Sequence, residues 1–463
     1  MSPTDRPPSQ TRPWLHARPI GPVAGLLVAT IAVACSGTGK LPPSAAPSDG
    51  PTNSASSNAR ATATPRYVPV GPASTDAVLV VGRTGQSDLE VTLASTGERF
   101  FRLPSGTPDA SWSRVVSVSA TSTSTVVSDV TVPELDSTAQ VVDGAWRLPT
   151  LGADPTPVGV SADGRTIVLV EDRAKPASGA GATTRFAILH RPLSATPRIV
   201  TLAGSFEYDT LSPDGAVLYV VEHLPAPPDG HYQVRAVDVA TGKLRPEVVV
   251  DKSGLDEAMA GYPIAQVRRP DGMVYTLYRG PEHPFIHALS SIDGWALCID
   301  LPATGADDAA AARDWGLAAS MDGSTLIAAN ATLGLAVQIP FADLAVHKSV
   351  TFAPSASTAI TLAKFGHDAG GPVDRRLVMS PDGSAIYAAG SGGIVRLDAG
   401  DLSVTGRFLE GSPVDAMAVT PDGTMLFALL HTGRIVRVDA ATGKVDGTVP
   451  GDGFDRLVAI VPW

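Results

Sequence analysis

The sequence predicts an all-β protein built from repeated four-stranded units, and three observations carry this prediction. A Ser-Pro-Asp-Gly turn or a close variant recurs along the chain, and a short apolar strand follows every copy. A third strand then runs into a second turn of the Ala-Thr-Gly-Lys kind. Self-similarity at a period of this length indicates a repeat architecture. Repeated blades of four antiparallel strands around one axis are the plan of a β-propeller.

The first turn of each unit has a clear physical basis. Pro presets φ, Asp accepts hydrogen bonds from nearby backbone N–H groups, and Gly adopts the left-handed conformation that closes the turn. Successive copies start 51, 57, 51, 60 and 40 residues apart (212−161, 269−212, 320−269, 380−320, 420−380). The copies are Ser161-Ala-Asp-Gly164, Ser212-Pro-Asp-Gly215, Arg269-Pro-Asp-Gly272, Ser320-Met-Asp-Gly323, Ser380-Pro-Asp-Gly383 and Thr420-Pro-Asp-Gly423.

The segments around each turn are predicted to be strands. The run after the turn is rich in β-branched and aromatic residues, as in Ala216-Val-Leu-Tyr-Val-Val221. The run before it is small and apolar, as in Ala416-Met-Ala-Val419, which suits an inner strand where several sheets converge. The third strand is exemplified by Ile435-Val-Arg-Val-Asp439, which leads into Ala440-Ala-Thr-Gly-Lys444. This combined pattern resembles the YVTN-type (surface-layer, YncE-like) propeller repeats over residues 77–463. The resemblance implies the fold and says little about function.

The repeats predict eight blades. The segment from Ser119 to Ser122 is interpreted as a degenerate seventh turn, 42 residues before Ser161 (161−119). The first unit lacks an inner strand, while residues 454–461 form an inner strand with nothing after it. These terminal pieces are expected to pair into one blade, which closes the ring and leaves no open sheet edge. Seven blades is the alternative if the second unit is irregular.

The N-terminus is predicted to be an export signal. Arg6, Arg12 and Arg18 precede an apolar stretch, residues 20–34, that is too short for an ordinary membrane span. Cys35 follows it, and the junction resembles a bacterial lipoprotein lipobox, which implies that the Cys35 thiol is lipidated. Ala34 fits that motif, whereas Ala32 departs from the usual Leu. The alternatives are an ordinary secretory signal with an incidental Cys, or an uncleaved anchor.

These features divide the chain into three parts. Residues 1–34 are predicted to be the signal peptide, and residues 67–463 the propeller. Residues 35–66 comprise the lipidated Cys35 and a tether rich in Ser, Ala, Thr and Pro, which has too few apolar residues to fold.

Composition and motifs exclude several classes of function. The net charge of −11 becomes about −13 without residues 1–34, which carry Arg6, Arg12, Arg18 and Asp5. This negative charge opposes binding to nucleic acid.

Cys35 and Cys298 are the only cysteines, and Cys298 is interpreted as a small buried strand residue. His283 and His287 are four apart, but Pro284 argues against the helix that a zinc site would need. No nucleophile elbow and no phosphate loop are present, and the glycine cluster at residues 390–393 is interpreted as a hairpin loop. No metal and no cofactor are predicted.

One constellation remains as a candidate ligand site. The inner strands should bring the residues that lie about five positions before each turn to one mouth of the channel. Recurrent Arg–Asp neighbours and a Trp there favour a pocket for a polar or charged ligand, with the Trp as a stacking platform. The alternative is inter-blade salt bridging with the Trp simply packed. This set contains no His. Its members are Arg114, Glu207, Asp209, Arg313, Asp314, Trp315, Asp374, Arg375, Asp415 and Asp455.

The sequence therefore favours a noncatalytic binding or scaffolding module. It is expected on the outer face of the cell membrane, anchored by the N-terminal lipid. An envelope polymer or another envelope protein is its candidate partner, and nucleic acid is not. The alternative is an extracytoplasmic enzyme of the lactonase or lyase kind, with its site at the channel mouth; fold alone does not choose between the two.

Overall fold

A computed structural model describes residues 76–109, 111–151, 157–172, 182–224, 231–249, 259–280, 283–302, 314–320, 322–355 and 376–461. These residues form eight antiparallel sheets, and no α-helix occurs among them. Accordingly, this part of the chain contains no helix that could span a membrane. The prediction of an all-β propeller with eight blades is confirmed.

The strands follow the order of the chain, with four to a blade, and the first strand named is the inner one. Blade 1 comprises β33 (Phe454–Val461), β1 (Val78–Arg83), β2 (Leu89–Leu93) and β3 (Arg99–Leu103). Blade 2 comprises β4 (Gly106–Pro108), β5 (Arg114–Ala120), β6 (Ser124–Thr131) and β7 (Ser137–Asp143). Blade 3 comprises β8 (Trp146–Arg147), β9 (Thr166–Glu171), β10 (Thr183–His190) and β11 (Arg198–Ala203).

Blades 4 and 5 follow the same plan, except that blade 4 has an additional short strand. Blade 4 comprises β12 (Ser205–Leu211), β13 (Val217–His223), β14 (His231–Asp238) and β15 (Lys243–Val249), with β16 (Met259–Ala260) also paired to β14. Blade 5 comprises β17 (Tyr262–Arg268), β18 (Met273–Arg279), β19 (Pro284–Ser290) and β20 (Trp295–Asp300).

The last three blades complete the ring. Blade 6 comprises β21 (Trp315–Ala319), β22 (Thr325–Asn330), β23 (Leu335–Pro340) and β24 (Lys348–Thr351). Blade 7 comprises β25 (Leu377–Met379), β26 (Ala385–Gly390), β27 (Gly393–Asp398) and β28 (Val404–Phe408). Blade 8 comprises β29 (Val414–Val419), β30 (Met425–Leu430), β31 (Ile435–Asp439) and β32 (Val445–Thr448).

The first strands of the blades form the innermost layer of the ring. Strand β21 contacts β17 and β25, and β29 contacts β25 and β33, although none of these pairs belongs to one sheet. First strands of successive blades can meet in this way only where the blades converge. Their small residues, such as Ala416 and Ala418, permit the close approach.

Hydrophobic clusters between neighbouring blades hold the ring together. Every adjacent pair of blades shares one, including the pair that closes the circle, where Leu79 and Val81 of blade 1 pack against Ala416 and Leu429 of blade 8. Because each blade buries both of its faces against neighbours, the ring is stabilised as one unit.

Blade 1 is assembled from both ends of the domain, as the sequence predicted. Strand β33 pairs antiparallel with β1, with Val80 opposite Ala459 and Val78 opposite Val461. The inner edge of β1 is therefore covered by β33.

The turn between the first and second strands is a compact hydrogen-bonded unit. In blade 7, the Ser380 hydroxyl donates to Asp382 Oδ1 at 2.5 Å and accepts from the Ala385 N–H at 2.9 Å. Gly383 closes the turn with φ of 72°. Hydrogen bonds from Ser380 and from the Ser384 N–H lower the pKa of Asp382 to about 2. The repeated Asp is thus a structural part of the turn.

The predicted turn of blade 2 was wrong in its position. Residues 121–123 join β5 to β6, which are the second and third strands of the blade. The first turn instead begins at Asp109, whose N–H bonds to the Arg114 carbonyl at 2.9 Å, as the Ser161 N–H bonds to Thr166 in blade 3. Trp112 occupies the glycine position, with φ of 57°. The pattern was missed because this turn contains no Gly.

Candidate functional site

The channel has two chemically different ends. We call the end at which the inner strands begin the upper mouth, and the end that carries the Ser-Pro-Asp-Gly turns the lower mouth. Because neighbouring strands are antiparallel, the second strand of each blade ends at the upper mouth. Side chains near the start of an inner strand and near the end of a second strand therefore meet there.

In blade 4, Glu207 and His223 form an ion pair at the upper mouth. Glu207 follows the start of inner strand β12, and His223 ends β13; His223 Nε2 lies 3.2 Å from Glu207 Oε1. The contact with His223, reinforced by the charge of Arg147 on blade 3, lowers the pKa of Glu207. The same contact raises the pKa of His223. Both side chains remain partly exposed, although the His223 Nε2 atom of the contact is itself buried.

Blade 8 carries a second carboxylate–imidazole pair. Asp415 lies in β29 and His431 directly follows β30, with His431 Nδ1 3.1 Å from Asp415 Oδ2. The pairing of β29 with β30 skips Asp415, since Val414 lies opposite Leu430 and Ala416 opposite Leu429. A β-bulge of this kind redirects a side chain and is common beside functional sites.

A polar network joins blades 6 and 7 at the same mouth. Asp314, just before β21, pairs with Arg376, just before β25. The Thr332 hydroxyl donates to Asp314 Oδ2 at 2.6 Å and accepts from the Ser391 N–H at 3.0 Å. Because Asp314 and Thr332 belong to blade 6 while Arg376 and Ser391 belong to blade 7, this network locks two blades together. It supports the salt-bridging interpretation for Asp314.

Blade 1 contributes Asp455 and Arg456 from the start of β33. Arg456 Nε donates to Asp455 Oδ1 at 3.2 Å, and its Nη2 donates to the Gln86 carbonyl at 3.0 Å. The guanidinium lies over Gly82, where a Cβ would approach Arg456 Nε to 2.3 Å. Gly82 therefore makes room for this arginine.

Asp209 lies on the same inner strand as Glu207 but is buried. Its side chain is 1% exposed, Oδ1 accepts from Gln266 Nε2 at 3.4 Å, and Oδ2 has no hydrogen-bond partner among the described residues. Burial raises the pKa of Asp209 to about 6, against the opposing effect of Arg268. Asp209 therefore faces the packing between blades 4 and 5.

Two predicted site residues do not have the expected setting. Trp315 is 2% exposed within the cluster between blades 5 and 6, so it cannot stack on a ligand, and the packing alternative is correct. Arg114 begins β5 at the lower end of blade 2, where it pairs with the buried Asp129 at 2.6 Å, a carboxylate that Arg191 also contacts. Its placement at the upper mouth was wrong because it depended on the misplaced turn of blade 2.

The remaining predicted residues divide into two groups. Glu207, Asp314, Asp415 and Asp455 all lie at the upper mouth, and each is paired there with one basic side chain: His223, Arg376, His431 and Arg456, respectively. Four predicted residues lie outside the described residues: Cys35, Arg313, Asp374 and Arg375.

The candidate set chosen from the sequence contains no histidine, yet two histidines lie at this mouth. His223 and His431 each lie eleven residues after the start of their turns, Ser212 and Thr420 (223−212, 431−420). Both lie at or just after the end of a second strand, whereas the candidate positions chosen from the sequence precede the turns and so lie on or before the inner strands. Tyr262, 74% exposed at the start of β17, was also missed and is an aromatic surface at this end of blade 5.

The described residues contain no group of three or more His, Cys, Asp or Glu side chains that could hold a metal ion. His287 is buried in β19, and His283 instead contacts Asp300 at 2.9 Å. Cys298 lies in β20 with its Sγ 3.6 Å from the Met259 sulfur. These residues belong to the packing of blades 4 and 5.

Comparison with known proteins establishes the fold and no more. No protein-family model matches the chain, and no curated protein sequence matches it. Among solved structures, dihydro-heme d1 dehydrogenase NirN in complex with DHE is 16% identical, covers 86% of this chain and 78% of its own, and has a TM-score of 0.52. AztD from Citrobacter koseri is 12% identical over 83% of this chain and 98% of its own, with a TM-score of 0.49. A putative 6-phosphogluconolactonase from Bacteroides fragilis is 16% identical over 76% of this chain and 99% of its own, with a TM-score of 0.40. At 16% identity, the likeness to the first of these structures supports the fold alone.

Proposed function

We propose that this chain is an exported, lipid-anchored propeller that binds a small polar ligand at the upper mouth of its channel. One observation carries the ligand-binding part. Inner strands of different blades bring Glu207, Asp415 and Asp455 to one end of the channel, and histidine or arginine accompanies each of them. Convergent polar groups at the end of a concave channel are the usual make-up of a small-molecule site.

The anchoring part of the proposal rests on the N-terminal sequence. The positive and apolar segments before Cys35, and the polar tether after it, are those of a lipoprotein. Metabolic labelling with a fatty acid tests it: the full chain should incorporate label in membranes, and Cys35→Ser should not. Equal labelling of both would refute lipidation at this residue.

A thermal-shift screen of the full chain against sugars, sugar acids, amino acids and amines tests the binding part. A ligand of the mouth should raise the melting temperature of the parent but not that of Glu207→Gln or Asp415→Asn. Matched controls are Glu247→Gln and Asp446→Asn, which remove the same charges from outer strands of the same two blades. Ligands that shift every variant equally would place binding elsewhere.

The second candidate function is an extracytoplasmic enzyme of the lactonase or lyase kind. The observation that favours it is the presence of two carboxylate–imidazole pairs at the mouth, since an oriented imidazole is the commonest general acid or base. If a ligand of the screen is turned over, His223→Gln should lower kcat by roughly a hundredfold or more while binding persists. Binding without turnover in the parent would leave the binding module as the function.

A further inference from the structure

A row of polar side chains crosses blade 5 on the face that packs against blade 4. One residue from each strand takes part, and each lies directly opposite the next, so that the four side chains share one face of the sheet. The row consists of Gln266 of β17, Thr276 of β18, His287 of β19 and Cys298 of β20. In blade 6, the fourth residue of the second strand is Ala328 where blade 5 has Thr276, and Val337 lies opposite it. The apolar centre of this row in blade 6 is thus replaced by polar and titratable side chains in blade 5.

Aromatic rings surround the middle of the row. Tyr278 of blade 5 stacks on Tyr232 of blade 4, with ring centroids 5.4 Å apart, and on Phe285 at 5.2 Å. The imidazole of His287 lies edge-on to Tyr278, with 6.3 Å between the ring centroids. All four of these side chains are buried, and His287 is 1% exposed. The imidazole is therefore held inside a dry interface between the two blades.

A methionine of blade 4 meets the outer end of the row. Met259 lies opposite Tyr232, and its Sδ is 3.6 Å from Cys298 Sγ. Cys298 in turn lies directly opposite His287, a relation that places two Cβ atoms about 4.5–5.5 Å apart. A thiol, a thioether and an imidazole thus converge between blades 4 and 5. Both sulfur-bearing side chains are only half-buried, which leaves an approach from solvent.

The spacing of the two sulfur atoms fits one metal ion between them. Two metal–sulfur bonds of about 2.3 Å whose sulfur atoms are 3.6 Å apart enclose an angle of about 100°, close to the tetrahedral value. The sulfur atoms therefore need no large movement to bind the same ion. Only two of the three donors are of the His, Cys, Asp or Glu types, and Met259 supplies the third.

The types of donor select the ion. Thiolate and thioether sulfur are soft ligands that favour Cu(I), whereas Zn²⁺ sites in proteins use thiolate, imidazole and carboxylate. A deprotonated Cys298 is the single anion of the three donors, so the donors themselves neutralise a monovalent ion. We infer that Cys298, Met259 and His287 form a Cu(I) site between blades 4 and 5. The inference goes beyond the proposed function, since none of these donors belongs to the upper mouth.

Anaerobic competition for Cu(I) with the chelator bathocuproine disulfonate tests the inference. The protein is the full chain with Cys35→Ser, which leaves Cys298 as its only thiol. This parent should take one Cu(I) per chain from the chelator, and addition of Cys298→Ser should abolish that binding. Zn²⁺ at the same concentration should not displace the copper. A parent that takes no Cu(I), or that exchanges it for Zn²⁺, would overturn the inference.

A methionine variant separates this site from binding by the thiol alone. Met259→Leu nearly preserves the volume of the side chain and removes its sulfur, and Met273→Leu in β18 is the matched control. Loss of a supporting residue around a bound metal costs about 10- to 100-fold in affinity, and loss of Met259 as a ligand should cost at least as much. The control should bind Cu(I) as tightly as the parent does. Equal affinities of Met259→Leu and the parent, or an equal loss in the control, would contradict the inference.

X-ray absorption of the copper-loaded parent tests the third donor without altering the buried His287. Two sulfur atoms and one nitrogen should surround the copper, and a shell without nitrogen would overturn the assignment of His287. Glu207→Gln should bind Cu(I) as the parent does, because Glu207 belongs to the upper mouth. Copper binding and ligand binding at the mouth can therefore succeed or fail independently.

Discussion

Asp209 shows what burial does to one acidic side chain of this ring. Because its carboxyl group is 1% exposed, with a single long hydrogen bond from Gln266, its charged form is poorly solvated. The pKa of Asp209 is consequently about 6, against 3.8 for an ordinary aspartate. Between these values the folded protein holds a proton that the unfolded chain has lost. The free energy of unfolding must therefore fall as pH rises through this interval.

Asp209→Asn should remove this dependence. Asn resembles the protonated acid in shape and charge, so the variant should match the parent below about pH 4 and exceed it above about pH 6. The gain should be at most about 3 kcal/mol, which corresponds to a shift of roughly two pKa units. Urea unfolding at several pH values, compared with Asp446→Asn on the surface, measures the effect. Parallel pH profiles for the Asp209 variant and the parent would show that Asp209 ionises normally.

At the scale of single residues, the sequence predicted the positions of the acidic side chains at the upper mouth well and the positions of their histidine partners poorly. Glu207, Asp415 and Asp455 were placed correctly because their distance before the turn fixes their height on the inner strand. His223 and His431 were not, because their alignment with these acids depends on the pairing of a second strand. Asp415 in addition lies in a bulge, which a regular alternation of side chains does not predict.

Among the elements, the turn of blade 7 shows how local the determinants of this fold are. Asp382 and Ser380 satisfy the backbone N–H groups of the turn, and Gly383 supplies a positive φ that side chains disfavour. All of these contacts lie within six residues of chain. Such a turn can therefore be identified from sequence alone wherever its glycine is present.

Gly383→Ala should destabilise the protein through the backbone alone. A Cβ at this position would meet no atom within 4 Å, so steric contact adds nothing. The expected cost is about 1–2 kcal/mol, the penalty of a left-handed conformation for a residue with a side chain. Chemical denaturation measures it, with Gly400→Ala as the control, since Gly400 lies outside the left-handed range and its Cβ would meet only the Asp398 side chain, at 3.3 Å. A loss as large in the control would show that the effect is not conformational.

Blade 2 marks the limit of this kind of prediction. Its turn starts at Asp109 and keeps the hydrogen bond to Arg114, but Trp112 adopts the left-handed conformation in place of a glycine. Tertiary packing compensates for this, because Trp112 packs against the cluster between blades 1 and 2. The blade was counted from residues 119–122, which join its second and third strands, so the blade was predicted from a misplaced turn and Arg114 was misplaced with it.

For the whole molecule, the pairing of β33 with β1 is the step that closes the ring. Truncation after residue 453 would remove buried Phe454, Leu457, Ala459 and Val461 and expose the edge of β1. The truncated chain should lose its cooperative thermal transition, as followed by circular dichroism. Removal of residues 462–463 alone, beyond the end of β33, is the control and should melt like the parent. A normal transition in the longer truncation would show that the ring does not need this strand.

The number of blades could be predicted because a closed ring leaves no strand edge unpaired at its two ends. Two incomplete units at the ends of the repeat have one stable solution, which is to complete each other. The chemistry of the mouth could be predicted only in part, since it arises from residues of different repeats that meet through the ring.

Because β33 closes the ring, the order in which the strands are synthesised affects how the chain folds. During synthesis, β1 and all the strands between β1 and β33 are made before β33, which is the strand that covers the edge of β1. The incomplete arc then has exposed hydrogen-bonding groups on β1, together with the apolar faces that blades 8 and 1 later bury. Such an arc is open to pairing with another chain, as any uncovered strand edge is. The pairing of β33 with β1 is therefore also the step after which this strand edge is no longer available to another copy of the chain.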